Sequence, residues 1–121
     1  MNDNDDTFEK LEVWREAVEL AAHVSELFRN CRDFECRGQI QGAALSVSSN
    51  MAEGYERSSN AELIRFLDIA RGSGGEVRSR TYVAIRVKLL AEENGRSLIS
   101  EAKRLAKRTA RLMEVRRNDF G

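Results

Sequence analysis

Apolar side chains recur at steps of three and four residues along most of the chain, the period of a helix that buries one face. Four amphipathic helices with short connections predict an all-α fold, an antiparallel up-down-up-down four-helix bundle. The predicted helices cover about residues 11–30, 37–57, 60–90 and 97–116.

The segments outside the helices are assigned by their composition. Residues 1–7 are polar and acidic, and we expect them to be a disordered lead. Residues 8–117 form the predicted bundle domain, and residues 118–121 a C-terminal tail. Turns are predicted at residues 31–36, and at residues 92–95 where glycine follows three polar residues.

Two segments rich in small residues lie within the predicted second and third helices. Weak helix formers in the second helix, such as Ser48, predict close packing, with hydroxyls bonded back to the preceding turn or across to a neighbour. Three glycines over residues 72–75 cost about 1 kcal/mol each relative to alanine, so the third helix kinks, breaks, or meets another backbone there. Helix–helix contacts are expected at Ser46, Asn50, Glu53, Gly54, Gly72, Ser73 and Glu76.

The third helix also carries more apolar surface than one core needs, which indicates a subunit interface. This second apolar strip consists of Ile69, Tyr82, Val83, Val87 and Leu90. At the start of the same helix, Ser59 or Asn60 is the predicted N-cap, because a side-chain oxygen at that position accepts a bond from the first turn.

Charge is balanced overall but unevenly distributed. The chain has 20 basic and 20 acidic side chains. Residues 1–60 hold 6 basic and 12 acidic groups, a net −6, and residues 61–121 hold 14 and 8, a net +6. Such asymmetry is typical of an anion-binding face, of subunits whose opposite ends meet, or of a dipolar surface that is only solvated.

The fourth helix places a cluster of bases opposite its apolar face. At about 100° per residue these basic side chains fall on one side of the helix, and Arg116 and Arg117 extend the basic cluster towards the C-terminus. No aromatic residue lies among them, so a stacking platform for single strands is missing. A solvated face and a phosphate-binding face are both consistent with this pattern. The candidate nucleic-acid-binding residues are Lys103, Arg104, Lys107, Arg108 and Arg111.

Groups that support catalysis or metal binding are few. His23 is the single histidine and has no acid or nucleophile at a telling spacing. Cys31 and Cys36 flank a predicted turn; a disulfide between them is the alternative, but without a secretory signal we expect reduced thiols. We therefore expect no enzyme activity, metal or cofactor, and we interpret Glu53 and Glu76 as structural anchors. The absence of a secretory signal and of a long apolar run predicts a cytoplasmic protein without a membrane span.

Three motifs carry a resemblance to a known family. The run from Phe8 to Ala17 fits F-x-x-L-x-V-W-x-x-A, and the run from Ala43 to Gly54 is similar to A-A-x-S-I-P-S-N-I-A-E-G. A third motif, in which Leu63 replaces a phenylalanine, is fitted by Arg57, Phe66, Leu67, Ala70, Gly72, Ser73 and Glu76. These resemble the small bacterial four-helix bundle proteins named for 23S rRNA intervening sequences. Ser48 stands where that family has proline, which predicts a straighter second helix.

The resemblance implies an antiparallel four-helix bundle that assembles as a ring of five subunits and has no enzyme activity. Together with the surplus apolar surface, it predicts a non-enzymatic homo-oligomeric scaffold or adaptor, with further copies of itself as partner. The alternative is an RNA- or DNA-binding module that uses the basic face of the last helix.

Overall fold

Four antiparallel helices form a closed ring in which each one packs against the next and the last packs against the first. The computed structural model describes residues 8–120 and confirms the predicted all-α four-helix bundle. A short 3-10 turn at Phe8–Lys10 precedes the first helix. The four helices are α1 (Glu12–Leu27), α2 (Phe34–Tyr55), α3 (Asn60–Arg86) and α4 (Glu92–Phe120).

The connection between α1 and α2 lies a few residues earlier than predicted. The α2 helix begins at Phe34 because the Asp33 carboxylate accepts a hydrogen bond from the backbone N–H of Cys36, at 3.0 Å. Cys36 is therefore in the first turn of α2 and not in the connection. At the start of α3, Ser59 is the N-cap of the two predicted candidates, and its hydroxyl accepts a hydrogen bond from the Glu62 N–H at 3.1 Å.

The predicted turn at residues 92–95 is wrong, because these residues form the first turn of α4. The chain reverses just before them, with Lys88 in the left-handed region at φ 66°. The N–H groups of Lys88 and Leu89 donate to the carbonyls of Ile85 and Ala84, the pattern of a Schellman C-cap. The buried Gly95 then leaves room for the Ile85 side chain.

Both predicted ends of the domain fall at or beyond the limits of the structure. Residues 1–7, the predicted lead, lie outside the described residues. Of the predicted tail, residues 118–121, the first three continue α4 as far as Phe120, and the last lies outside the described residues.

The core lies along the bundle axis and draws on all four helices. Leu90, assigned from the sequence to the second apolar strip, belongs to this core, because the turn after α3 folds it inward. The largest fully buried hydrophobic side chains are Phe28, Leu20, Ile40, Met51, Leu67 and Leu98. Burying a side chain of this size stabilises the fold by roughly 1.5–3 kcal/mol.

The α2 and α3 helices approach each other closely at Gly54. A Cβ added at this glycine would lie 2.6 Å from the Cβ of Phe66 and 3.4 Å from the carbonyl oxygen of Leu63. Farther along the same interface, the hydroxyls of Ser46 and Ser73 share a hydrogen bond of 2.8 Å. Asn50 donates to the carbonyl and the hydroxyl of Ser46, at 2.8 and 2.9 Å. The polar small residues of α2 are therefore bonded both within the helix and across to α3.

The glycines of α3 do not make the contact expected of them. The α3 helix is continuous through residues 72–75, and no atom of a neighbouring helix lies within 4 Å of a Cβ placed at Gly72 or Gly74. The Gly72 position faces outward. It is Ser73, one residue along and turned towards α2, that makes the contact between the helices.

The two glutamates expected to anchor the helices differ in what they contact. Glu53 is exposed and pairs with Arg57 at 2.8 Å, so it does not reach a neighbouring helix as expected. Glu76 pairs with Arg80 at 3.0 Å, and Arg80 donates to the side-chain oxygen of Gln39 on α2. Each glutamate is thus linked to the other helix only through an arginine. For Glu53 this is Arg57, whose guanidinium lies 4.9 Å from the centre of the Phe66 ring on α3.

The Gly54→Ala substitution should destabilise the fold even though alanine is the better helix former. The added methyl overlaps the Cβ of Phe66, which cannot move without shifting α3. Overpacking of this kind costs about 1–3 kcal/mol, which exceeds the gain of up to about 1 kcal/mol in helix propensity. Urea unfolding followed by circular dichroism should therefore show a lower midpoint.

The matched control is Gly72→Ala, because this position lies in α3 with open space around it. Here only the propensity gain remains, and the midpoint should rise by the equivalent of about 0.5–1 kcal/mol. If both substitutions raised the midpoint alike, the close contact at Gly54 would be refuted.

Candidate nucleic-acid interface

Four of the five basic residues predicted on α4 line a groove between α3 and α4. Lys107 and Arg111 line one section of this groove, and Lys103, Arg104 and Lys107 line the next. They face the groove because α4 turns its apolar side, including Leu105, into the core. The prediction of one common surface therefore holds for these four residues.

Arg108 is directed to the other side of α4. Its guanidinium pairs with Glu12 at 2.9 Å and with Glu16 at 2.8 Å, both on α1. It lies one residue after Lys107, and a step of about 100° turns it from the α3 side of the helix to the α1 side. Arg108 is therefore not part of the α3–α4 side of the helix, since its charge links α4 to α1, where it lines a cleft together with Arg111. Its predicted part in nucleic-acid binding stays a prediction.

Three arginines of α3 complete the groove, and the sequence reasoning missed them. Arg65, Arg71 and Arg78 line its other wall. A signal was present in the spacing, because Arg71 and Arg78 are seven residues apart and so lie on the same side of a helix two turns apart. The spacing alone does not indicate that this side of α3 faces α4.

The groove is long and strongly basic. Its two sections have volumes of about 760 and 640 Å³, and they share Arg71, Lys107 and Ala110. From Ile64 to Arg78 the α3 wall extends for roughly 20 Å at 1.5 Å per residue. Eight basic and two acidic side chains line the two sections, a net charge of +6. We call this surface the α3–α4 groove.

Most of this positive charge is not neutralised by neighbouring carboxylates. Arg65 and Arg71 pair with acids one turn away, Glu62 at 3.4 Å and Asp68 at 3.5 Å. Such exposed pairs contribute at most about 1 kcal/mol and are easily exchanged for another anion. Within residues 8–118, no acidic side chain pairs with Arg78, Lys103, Arg104, Lys107, Arg111 or Arg117.

The floor of the groove is formed by small side chains. Ala106 and Ala110 are one turn apart on α4 and half-buried, so a ligand could lie between the two rows of bases. No aromatic side chain of the described chain lines either section. This agrees with the lack of a stacking platform that we predicted for α4 itself.

A second surface of interest is the outer face of α2. Between Arg37 and Glu53 this helix contains no charged residue. Leu45 is 57% exposed there, flanked at helical spacing by the exposed Gly42 and Ser49. An outer helix face without charge is unusual in a chain of which 33% is charged. We call this surface the α2 face.

The predicted apolar strip of α3 divides between two sides of the helix. Ile69 and Val83 are exposed one turn from Ser73 and Arg80, the α3 residues that bond to α2. Tyr82 is also exposed, but it is rotated by about 100° from its neighbour Val83 and lies away from this side. The first two residues therefore extend the α2 face, and Tyr82 does not.

The single histidine joins two helices. His23 Nδ1 lies 2.8 Å from the Glu101 carboxylate on α4, and this hydrogen bond raises the pKa of His23 above its usual 6.5. The carboxylates of Glu19 and Glu26 act in the same direction. The pair ties α1 to α4 at the surface, and its acid is 78 residues away along the chain, so that spacing in the sequence does not reveal it.

Other chemical groups in the described residues offer little to a metal or a catalyst. Cys31 and Cys36 are free, and burial raises the pKa of the Cys36 thiol, which disfavours the reactive thiolate. No group of three or more His, Cys, Asp or Glu side chains in residues 8–118 could hold a metal ion. Among the described helices, none is both long enough and apolar enough to cross a membrane.

Comparison with known proteins agrees with the motifs in the sequence. Residues 9–111 match the profile of the 23S rRNA-intervening sequence protein family. No curated protein matches the chain. A similar solved structure is the 1.70 Å crystal structure of a protein with unknown function from the S23 ribosomal protein family of Bacteroides thetaiotaomicron.

This likeness concerns the fold. The two chains superpose with a TM-score of 0.78 at 21% sequence identity, over 84% of this chain and 97% of the other. The match to the family profile extends from the 3-10 turn before α1 to the basic segment of α4. The chain belongs to the 23S rRNA-intervening sequence protein family.

Proposed function

We propose that this protein is a non-enzymatic nucleic-acid-binding module whose contact surface is the α3–α4 groove. The observation that carries this proposal is a groove with a net charge of +6. Six of its eight basic side chains lack an acidic partner among the described residues. Phosphate groups are the natural complement of such a surface, since each neutralised phosphate also releases a condensed counterion.

The distribution of charge supports a specific surface over a uniformly solvated one. The positive half of the sequence forms α3 and α4, and the negative half forms α1 and α2. The acids of α1 that approach α4, Glu12 and Glu16, are satisfied by Arg108. Five of the remaining basic residues of α4 line the α3–α4 groove, namely Lys103, Arg104, Lys107, Arg111 and Arg117.

The lack of a catalytic arrangement supports a binding role. His23 is hydrogen-bonded to Glu101, and Glu26 and Ser97 line the same small pocket. Among the described residues, neither Glu26 nor Ser97 is hydrogen-bonded to the His23 ring, and Glu53 pairs only with Arg57. The free thiols of Cys31 and Cys36 are typical of a reducing compartment, which supports a cytoplasmic location.

Replacement of three basic residues of the α3–α4 groove by glutamine should greatly weaken binding to nucleic acid. In the variant Arg104→Gln/Lys107→Gln/Arg111→Gln, three phosphate contacts are removed while helix propensity is kept. We expect affinity for a structured RNA at about 100 mM salt to fall roughly 100-fold or more, and the slope of log K against log salt to decrease by about three. Fluorescence anisotropy measures both.

The matched control removes the same charge from outside the groove. Arg29→Gln/Arg32→Gln/Arg86→Gln changes exposed side chains for which the structure gives no pairing. It should lower the affinity less than tenfold, through net charge alone. Equal losses in the two triple variants, or retention of full affinity in the groove variant, would contradict the proposal.

A second function is supported by the α2 face, namely self-association into an oligomeric scaffold. Leu45 exposes apolar surface in the part of α2 that has no charge, and Ile69 and Val83 add exposed apolar surface on α3, Val83 beside Glu35. Gly38 and Gly42 have open space in which a second helix can approach. The family resemblance suggests a homopentameric ring. A stable interface requires about 800 Å² from each partner, which the length of α2 is able to supply.

Assembly through this face should be abolished by Leu45→Glu, because a carboxylate at its centre would be buried without a partner. Light scattering at micromolar concentration should give an oligomer for the unmodified chain and a monomer for the variant. The control is Val115→Glu, at a residue of α4 that is 46% exposed and outside the α2 face. A monomeric unmodified protein would refute assembly, and an oligomeric Leu45→Glu variant would refute the α2 face as its interface.

A further inference from the structure

The basic side chains of the α3–α4 groove line a trough, and the shape of this trough limits which parts of a nucleic acid they can reach. Base edges lie at the bottom of the grooves of a duplex, where only a protruding helix or strand contacts them. A concave surface between two helices instead receives something convex. The sugar-phosphate strand of a duplex is convex and carries the negative charge that these bases require.

The section of the groove between Arg71 and Arg78 is its most positive part. It is lined by five basic side chains and no carboxylate, whereas both acidic residues of the groove, Asp68 and Glu114, belong to the other section. On α4 the bases recur about once per turn, a rise of about 5.4 Å. Two facing rows of evenly spaced cations suit a ligand whose charges are also evenly spaced.

The chemistry of the lining argues against recognition of single strands. Proteins that bind single strands stack the nucleobases on aromatic side chains, and each stacked nucleobase contributes roughly 1–3 kcal/mol to the binding free energy. The lining contains no aromatic residue, and also no asparagine or glutamine that would read adenine. One exposed aromatic residue, Tyr82, lies a turn beyond Arg78 on α3, which is too few to stack successive bases. A single strand would therefore lose conformational freedom on binding without stacking to offset it, whereas a duplex is already stiff.

We infer that the α3–α4 groove binds the phosphate backbone of a nucleic-acid duplex, centred on Arg78, Lys103 and Lys107, without reading its sequence. This inference rests on the proposed nucleic-acid-binding function and names the class of ligand. The backbone is common to RNA and DNA duplexes, so comparing the two shows whether the groove also distinguishes their helical forms.

The test is an anisotropy titration of the full chain with four labelled probes of 24 nucleotides or base pairs. Two are RNA duplexes of unrelated sequence, one is a DNA duplex, and one is single-stranded oligouridine. We expect the RNA duplexes to bind within about threefold of each other, and both to bind at least about tenfold more tightly than the single strand at about 100 mM salt. Tighter binding of the single strand, or a preference above tenfold for one duplex sequence, would overturn the inference.

Two double variants locate the centre of the contact. Arg78→Gln/Lys103→Gln lies in the section without carboxylates and should reduce the salt slope for the duplexes by about two. Arg65→Gln/Arg117→Gln removes the same charge from the section that contains Asp68 and Glu114, and should reduce the slope by less than one. The reverse order would overturn the assignment of the centre.

Failure of this inference and failure of the proposed function give different results. If single strands bind best and the groove triple variant still abolishes binding, the function stands and the duplex class is wrong. If no probe binds, even at about 50 mM salt, both are wrong. In that case the acidic half of a second copy becomes the better occupant, and Arg78→Gln/Lys103→Gln should then lower the molar mass seen by light scattering.

Discussion

The contact of α2 with α3 at Gly54 is the constraint on which the rest of the bundle depends. With no side chain at this position, α2 approaches Phe66 and Leu63 closely enough for Ser46 and Ser73 to share a hydrogen bond farther along. These contacts fix the rotation of α3 about its own axis. Once one side of α3 faces α2 in this way, the side that carries Arg71 and Arg78 must face α4.

The groove is therefore a consequence of packing as much as of charge. Ser73 and Arg71 are only two residues apart, yet one bonds to α2 and the other lines the α3–α4 groove. On α4, the adjacent residues Arg108 and Lys107 also face different sides: Arg108 pairs with α1, and Lys107 lines the groove. Each helix uses one side for its neighbour and the next side for a surface that a ligand can reach.

Much of the fold could be predicted from the sequence, because a period of 3.6 in apolar residues is a local property. The errors arise where a contact between distant residues decides the outcome. Asn94 and Gly95 are typical of a turn, but Gly95 is needed for contact with Ile85, and α4 already begins at Glu92. Gly72 and Ser73 are both predicted at a helix contact, but only Ser73 makes it, because Gly72 faces outward.

The candidate site could be predicted only in part, for the same physical reason. The cluster of bases on α4 follows from the spacing of Lys103, Lys107 and Arg111 on one helix. The contribution of Arg78 and the loss of Arg108 both depend on which helices are neighbours and how they are rotated. Neither of these is a property of any single segment.

The measurement that tests the central claim most directly is an NMR titration of the isotope-labelled protein with a short RNA duplex. Backbone amide shifts report which surface the ligand covers, without any substitution in the protein. The account predicts perturbations confined to α3 residues 71–78 and α4 residues 100–111, with α2 residues 38–49 unaffected. Perturbations concentrated on α1 and α2, with residues 71–78 unchanged, would contradict it.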